Sequence, residues 1–255
     1  MIEFYAVYVI VLRELKKFVR ERSRLISTLA RPLVWLFMVG AGLSRLVSPK
    51  AGMPYTQFIF PGILGMTILF SSIFSSISII WDKEFGFLKE ILAAPVRRSS
   101  IVIGKSLSGT AVSTIQTVII LMLFPVIGIK LTLAQILCTI GVSFLVAFSI
   151  SSFGIVLATF YESYESFSVI MNFIVMPMFF LSGAMYPVRL LNAPLRIASS
   201  LNPLTYGVDA LKNTVFTLRE GPLSPDFSLG FDLLVIVLTS VLFVAVASRF
   251  FERKG

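Results

Sequence analysis

The chain has 255 residues, 56% of them hydrophobic and 14% charged, with a formal net charge of +9 and no histidine. That balance excludes an ordinary soluble domain and indicates a single all-α polytopic membrane domain over residues 1–255. Most of the 22 Lys and Arg fall in segments that the topology below places inside. Anionic cytoplasmic lipid therefore accounts for the charge, and no nucleic acid is needed.

Residues 1–24 open with an apolar run, 4–12, too short to span. From Val11 the pattern turns amphipathic, with Val11, Leu12, Leu15, Phe18 and Val19 set against Arg13, Glu14, Lys16, Lys17, Arg20 and Glu21. This predicts a helix lying along the cytoplasmic interface, and the seven basic residues up to Arg31 put the N-terminus inside. A first span is predicted over 25–46, followed by a turn-rich outer loop with Ser48, Pro49, Gly52 and Pro54. The second span, 58–81, carries Pro61-Gly62 near its outer end. Ser71, Ser75 and Ser78 share one of its faces, with Ser72 and Ser76 beside them. Small hydroxyl residues at that spacing serve close helix packing or a polar substrate path.

A charged island, residues 81–105, separates the second span from the third and holds Lys83, Lys89, Arg97, Arg98 and Lys105. Phe85, Leu88, Ile91 and Leu92 recur at helical spacing, with Lys83, Glu84, Lys89 and Glu90 on the other faces. The expectation is one short cytoplasmic helix from Lys83 to Leu92, stopped before Pro95, within the region 82–100. Such a helix either lies on lipid or docks a soluble partner.

The third span is predicted over 101–129, with Pro125 and Gly128 near its outer end, and the fourth over 131–161. The inner loop Tyr161-Glu162-Ser163-Tyr164-Glu165 is acidic, and only the number of crossings places it inside. The fifth span, 166–181, is rich in Met171, Phe173, Met176, Met178, Phe179 and Phe180, and Pro177 interrupts its hydrogen-bond ladder. An outer segment, 188–220, is too polar to cross and too apolar for a plain loop. Two short helices in the outer leaflet, broken at Asn202-Pro203, fit it best, with Tyr206 and Asp209 one turn apart to satisfy buried backbone groups. The last span, 231–248, ends at Arg249, Glu252, Arg253 and Lys254 inside, giving six spans with both termini cytoplasmic.

Apart from their ends, these spans hold no ionisable residue, which argues against a proton- or ion-coupled transporter. Cys138 is the single cysteine, and it sits in an apolar run, so there is neither a disulfide framework nor a thiol metal site. Without histidine or a buried carboxylate, an intramembrane hydrolase lacks its base. No G-x-x-x-x-G-K-[ST] loop is present, so ATP is not bound by that route. A bundle with no energy source of its own and a patterned cytoplasmic helix implies an ATPase on another chain. A membrane scaffold that docks a soluble partner without transport is the alternative, and a channel is a third, which uncharged spans disfavour.

Several blocks carry a resemblance. Gln57-Phe58-Ile59-Phe60-Pro61-Gly62 and Trp81-Asp82-Lys83-Glu84-Phe85-Gly86-Phe87-Leu88-Lys89-Glu90 with Ala94-Pro95-Val96 are two of them. Phe180-Leu181-Ser182-Gly183-Ala184-Met185-Tyr186-Pro187 and Leu201-Asn202-Pro203-Leu204-Thr205-Tyr206-Gly207-Val208-Asp209 are two more. In order and spacing the chain resembles the type-2 ABC exporter permease family, nearest its daunorubicin-resistance-type branch. The resemblance implies a non-enzymatic subunit of six spans, paired with a second permease chain in a homodimer or heterodimer. It implies two cytosolic subunits that bind ATP and Mg, with no cofactor on this chain, and a prokaryotic cytoplasmic membrane. It makes the helix after the second span a coupling helix and 188–220 a re-entrant pair. Glu84, Lys89 and Glu90 are then the expected polar contacts to the ATPase, with Lys83 and Gly86 beside them and Phe85, Phe87, Leu88 and Leu92 as apolar faces. Met171, Met176 and Phe179, with Ser71, Ser75 and Ser78, are candidate substrate-path residues for a drug-like or lipid-linked cargo. A branch that exports polysaccharide or glycolipid shares the plan.

Overall fold

The computed structural model describes residues 3–43, 54–93, 95–161, 163–216 and 224–253. The expected outer loop around Ser48, Pro49 and Gly52, together with Ala94, Glu162, the end of the outer segment and Lys254, lies outside them. So do the side chains of Lys89, Leu92 and Met171. Among the described residues every regular element is helical. The helices are α1 (Phe4–Arg20), α2 (Arg22–Val34), α3 (Tyr55–Glu84), α4 (Phe87–Ala93) and α5 (Arg98–Leu121). They continue with α6 (Leu133–Phe160), α7 (Tyr164–Leu181), α8 (Ala193–Ser200), α9 (Pro203–Val215) and α10 (Leu229–Arg253).

Four of these, α3, α6, α7 and α10, are long and apolar enough to cross a membrane, and Thr28–Leu43 forms a shorter apolar helix. The chain is thus a membrane-embedded helical bundle. Apolar length alone does not single out α5, because it carries Ser106, Ser108, Thr110, Ser113, Gln116 and Thr117, all buried inside the protein.

The bundle is built around α3, whose apolar window is 89% buried. α6 packs along it and also against α5, α9 and α10, while α1 lies against α5. Single hydroxyl pairs stitch the seams. Ser72 Oγ and Ser113 Oγ are 2.9 Å apart between α3 and α5, and Ser152 donates to Ser106 at 3.1 Å between α6 and α5. Thr139 donates to Thr214 at 3.0 Å between α6 and α9, and Ser149 lies 3.1 Å from Thr239 between α6 and α10. Contacts of this kind in a membrane are worth about 0.6 kcal/mol each, so close packing must carry the rest. Glycines permit it at two places. A Cβ on Gly65 would come within 2.6 Å of Val208, and one on Gly207 within 2.7 Å of Val146. α9 therefore seats between α3 and α6 through a matched pair of notches.

Three boundaries differ from the sequence expectation. The third span was expected to stay helical to residue 129, but α5 ends at Leu121 and turns follow through Gly128. Pro125 has no N–H for the Leu121 carbonyl, which takes the Phe124 N–H instead at 3.0 Å. Ahead of Pro177, α7 widens into a π turn at Met171–Val175, the local adjustment a proline ring imposes on the preceding carbonyls. The third difference concerns the cytoplasmic helix.

Candidate functional site

The expected single helix from Lys83 to Leu92 is two elements. α3 continues through Glu84, the chain turns at Phe85-Gly86, and α4 begins at Phe87. Gly86 has φ +79°, a left-handed conformation that stops a helix and that residues with a Cβ adopt only at a cost. The turn closes with Phe85 N–H on Trp81 O at 2.9 Å and Gly86 N–H on Lys83 O at 3.1 Å. A Cβ on Gly86 would meet nothing within 4 Å, so within this chain the residue serves backbone conformation.

The last turn of α3 carries adjacent charges aimed at opposite halves of the bundle. Lys83 Nζ donates to the carbonyls of Ala158 at 2.7 Å, Thr159 at 3.2 Å and Tyr161 at 3.0 Å. These are the terminal carbonyls of α6, where a cation is favoured by both hydrogen bonding and the helix dipole. Lys83, expected among the coupling residues, thus spends its amine inside the chain. Asp82 is buried and faces the other way, accepting from Lys105 Nζ at 2.6 Å and from Arg13 Nη2 at 3.0 Å. Lys105, 4% exposed, also donates to Glu14 at 2.7 Å and Ser78 Oγ at 3.1 Å. This four-charge cluster locks α1 and α5 to the end of α3. Sequence reading counted Lys105 as one more inside-facing cation and paired it with nothing. The missed signal was a lone lysine two turns into a helix that is uncharged after its first residue, Arg98.

Glu84, Phe85, Gly86, Phe87 and Glu90 lie exposed at the foot of the bundle, Phe85 at 71% and Phe87 at 50%, while Leu88 packs against the core. Lys89 and Leu92 belong to the backbone of α4. The candidate path residues are scattered. Ser71 and Ser78 are buried within the chain, and Ser75 lies 3.3 Å from the position a Cβ on Gly109 would take, as close packing requires. Phe179 is buried against the Trp35 ring at 6.0 Å, and Met176 is half-buried beside the core.

At the far end, Asn202 caps α9 by accepting from Leu204 N–H at 3.0 Å and donates to Met178 O at 2.7 Å, with Pro203 in the first turn. Tyr206 donates to Ser200 O at 2.9 Å, and Asp209 accepts the N–H groups of Asp226 and Phe227 at 2.9 and 2.8 Å. Tyr206 thus satisfies a carbonyl just before the break, whereas Asp209 satisfies two N–H groups ahead of α10, outside the 188–220 segment. Burial raises the Asp209 carboxyl above its ordinary range, against the pull of those two donors and Lys212. Burial pushes the Lys212 amine down, and it donates to Gly183 O at 2.7 Å.

A bundle of apolar helices with its polar groups turned inward and a short exposed helix at its foot defines an integral membrane protein, and the comparisons give its family. The chain belongs to the ABC-2 type transporter family, whose sequence model matches residues 5–216. It is 31% identical over 209 residues to a protein named transport permease ycf38 from Cyanophora paradoxa, covering 80% of this chain and 72% of that one. It is 25% identical over 210 residues to nodulation protein J of Rhizobium leguminosarum bv. viciae, covering 76% and 75%. The ycf38 permease of Porphyra purpurea is 23% identical over 254 residues, covering 92% and 84%. The protein is a membrane permease subunit of the ABC transporter class.

Proposed function

We propose that this chain is the membrane half of an ATP-driven exporter, and that α4 and the turn before it are where a separate ATPase docks. The observation that carries the reading is the exposed foot of α3. Two phenylalanines and two glutamates stand in solvent there, in the last residue of α3, the turn after it and α4, directly below the most buried of the four long apolar helices. ATP and Mg belong to two cytosolic partner subunits, and this chain pairs with a second permease chain in a prokaryotic cytoplasmic membrane. Exposed Phe37 and Met38 on the helix Thr28–Leu43 and Val169 and Phe173 on α7 supply apolar surface for that second chain or for lipid.

Six crossings are reached by adding Thr28–Leu43 and α5 to the four long apolar helices. The 24 residues of α5 extend about 36 Å, enough for a hydrocarbon core of about 30 Å. Six crossings put both termini and α4 on one side, which the basic residues of α1 make the inside, with α8 and α9 at the outer leaflet. The cargo is a hydrophobic, drug-like or lipid-linked molecule, by the Met and Phe content of α7 and the lack of any ionisable residue in mid-span. The test is Glu84→Lys in cells that also express the cytosolic ATPase subunit with which the parent chain co-purifies. The expected result is a chain that inserts normally yet loses ATPase co-purification and export together, because a wrong charge in a small buried interface costs several kcal/mol. Normal values for both would place the docking surface elsewhere.

A further inference from the structure

α1 turns two faces to different surroundings. Val7 and Phe18 are buried and Glu14 pairs with Lys105, whereas Tyr5, Val9, Leu12, Lys16 and Arg20 are exposed on the opposite side. Along that side runs an open groove of about 600 Å³. Val9 and Leu12 line one part of it and Arg13, Lys16, Lys17 and Arg20 the rest, with Glu21 the only acid among its described residues. Four cations beside aliphatic side chains match a phosphodiester joined to acyl chains. The same helix starts with Phe4, Tyr5 and Tyr8 exposed, Phe4 at 83%, as a segment seated at a membrane interface does. An acidic protein surface would satisfy the cations but not these rings.

We propose that this groove binds the headgroup of an anionic phospholipid of the cytoplasmic leaflet, with its acyl chains over Val9 and Leu12. The proposal rests on the inside orientation of α1 given above and is independent of where the ATPase docks. The site touches the charge cluster directly. Arg13 keeps its bond to Asp82 at 3.0 Å while 49% exposed, and a guanidinium has donors to spare for a phosphate. Lys17 Nζ sits 4.4 Å from the centre of the Trp81 ring. A bound headgroup that draws Lys17 toward the groove therefore changes the surroundings of Trp81.

The chain has two tryptophans, Trp35 and Trp81, so a Trp81→Phe variant identifies the reporting ring. Purified chain in neutral detergent is titrated with short-chain phosphatidylglycerol, with short-chain phosphatidylcholine and with inorganic phosphate, following tryptophan emission. Phosphatidylglycerol alone should give a saturable change, absent in Trp81→Phe. Lys16→Gln and Arg20→Gln, both at exposed positions, should each weaken it about fivefold and together about 25-fold. An equal response to phosphatidylcholine or to inorganic phosphate overturns the proposal, as does a double variant that titrates like the parent. Lost ATPase co-purification in that double variant with an unchanged titration assigns the groove to the protein partner and also overturns it. Glu84→Lys should titrate like the parent, so a failure of the docking reading leaves this result intact.

Discussion

Replacing Lys105 by Met removes one charge from the cluster that joins three helices. The amine is 4% exposed and lies 2.6 Å from Asp82, 2.7 Å from Glu14 and 3.1 Å from Ser78 Oγ. Taking it away leaves two carboxylates, 7% and 11% exposed, with Arg13 as the remaining cation bonded to Asp82. Removing one partner of a buried pair costs about 3–5 kcal/mol, and the retained Arg13 contact sets the expectation near the lower end, about 3 kcal/mol. For a chain of this size that corresponds to a drop of roughly 6–12 °C in the unfolding midpoint of the detergent-purified protein. Adding Glu14→Gln should then return part of the loss, because Glu14, whose ion pair is with Lys105, is the carboxylate left orphaned while Asp82 keeps Arg13. A double-mutant cycle should give a coupling of at least about 1 kcal/mol. A Lys105→Met protein that melts within a degree of the parent refutes the argument. So does a double variant less stable than the sum of the singles.

Lys83→Met should lower the midpoint by the equivalent of about 1–3 kcal/mol, since it leaves the terminal carbonyls of α6 without their cation, and Lys83→Arg should restore much of that. Equal stability of all three proteins by thermal scanning would mean that water replaces the amine without loss. Gly65→Ala should cost about 1–3 kcal/mol through its collision with Val208, and Val208→Ala in the same chain should relieve it; an additive pair of losses would place the strain elsewhere. Gly86→Ala should cost about 1 kcal/mol from its positive φ, with Gly86→Asn better tolerated. The reverse order would mean that bulk, rather than backbone conformation, decides at this turn.

How much of this was legible in the sequence depended on whether the signal was local. The apolar runs announced α3, α6, α7 and α10, each a long stretch with few charges. Asn202-Pro203 announced the break between α8 and α9, since an Asn cap followed by Pro is a complete helix start in two residues. Periodicity misled at Gly86. Phe85, Leu88 and Leu92 keep helical spacing across a turn that one positive φ creates, and spacing does not register a dihedral angle. Pro125 was likewise visible while its consequence, an α5 that stops at Leu121, lay one turn upstream of the residue itself.

The site was legible only in its exposed part. Glu84, Phe85, Phe87 and Glu90 attract notice by their pattern in the sequence, and the structure leaves all four exposed. Asp82 and Lys83 stand beside them in sequence and read alike, as charges at the end of a span. The fold gives them other work. Side chains of successive residues on a helix point about 100° apart, so two neighbouring charges reach different helices. One is tied to α1 and α5, the other to the foot of α6. On the proposed function, a push delivered to α4 by the ATPase reaches the turn at Gly86 first and then this last turn of α3. From there it has two charged routes, one into each half of the bundle. Were Lys83 exchanged for a residue without a cation, force on α4 would still reach α1 and α5 through Asp82 but would lose its polar hold on α6. An exporter so altered should keep its ATPase bound and hydrolysing while export falls. A parallel loss of hydrolysis would show instead that both routes act as one.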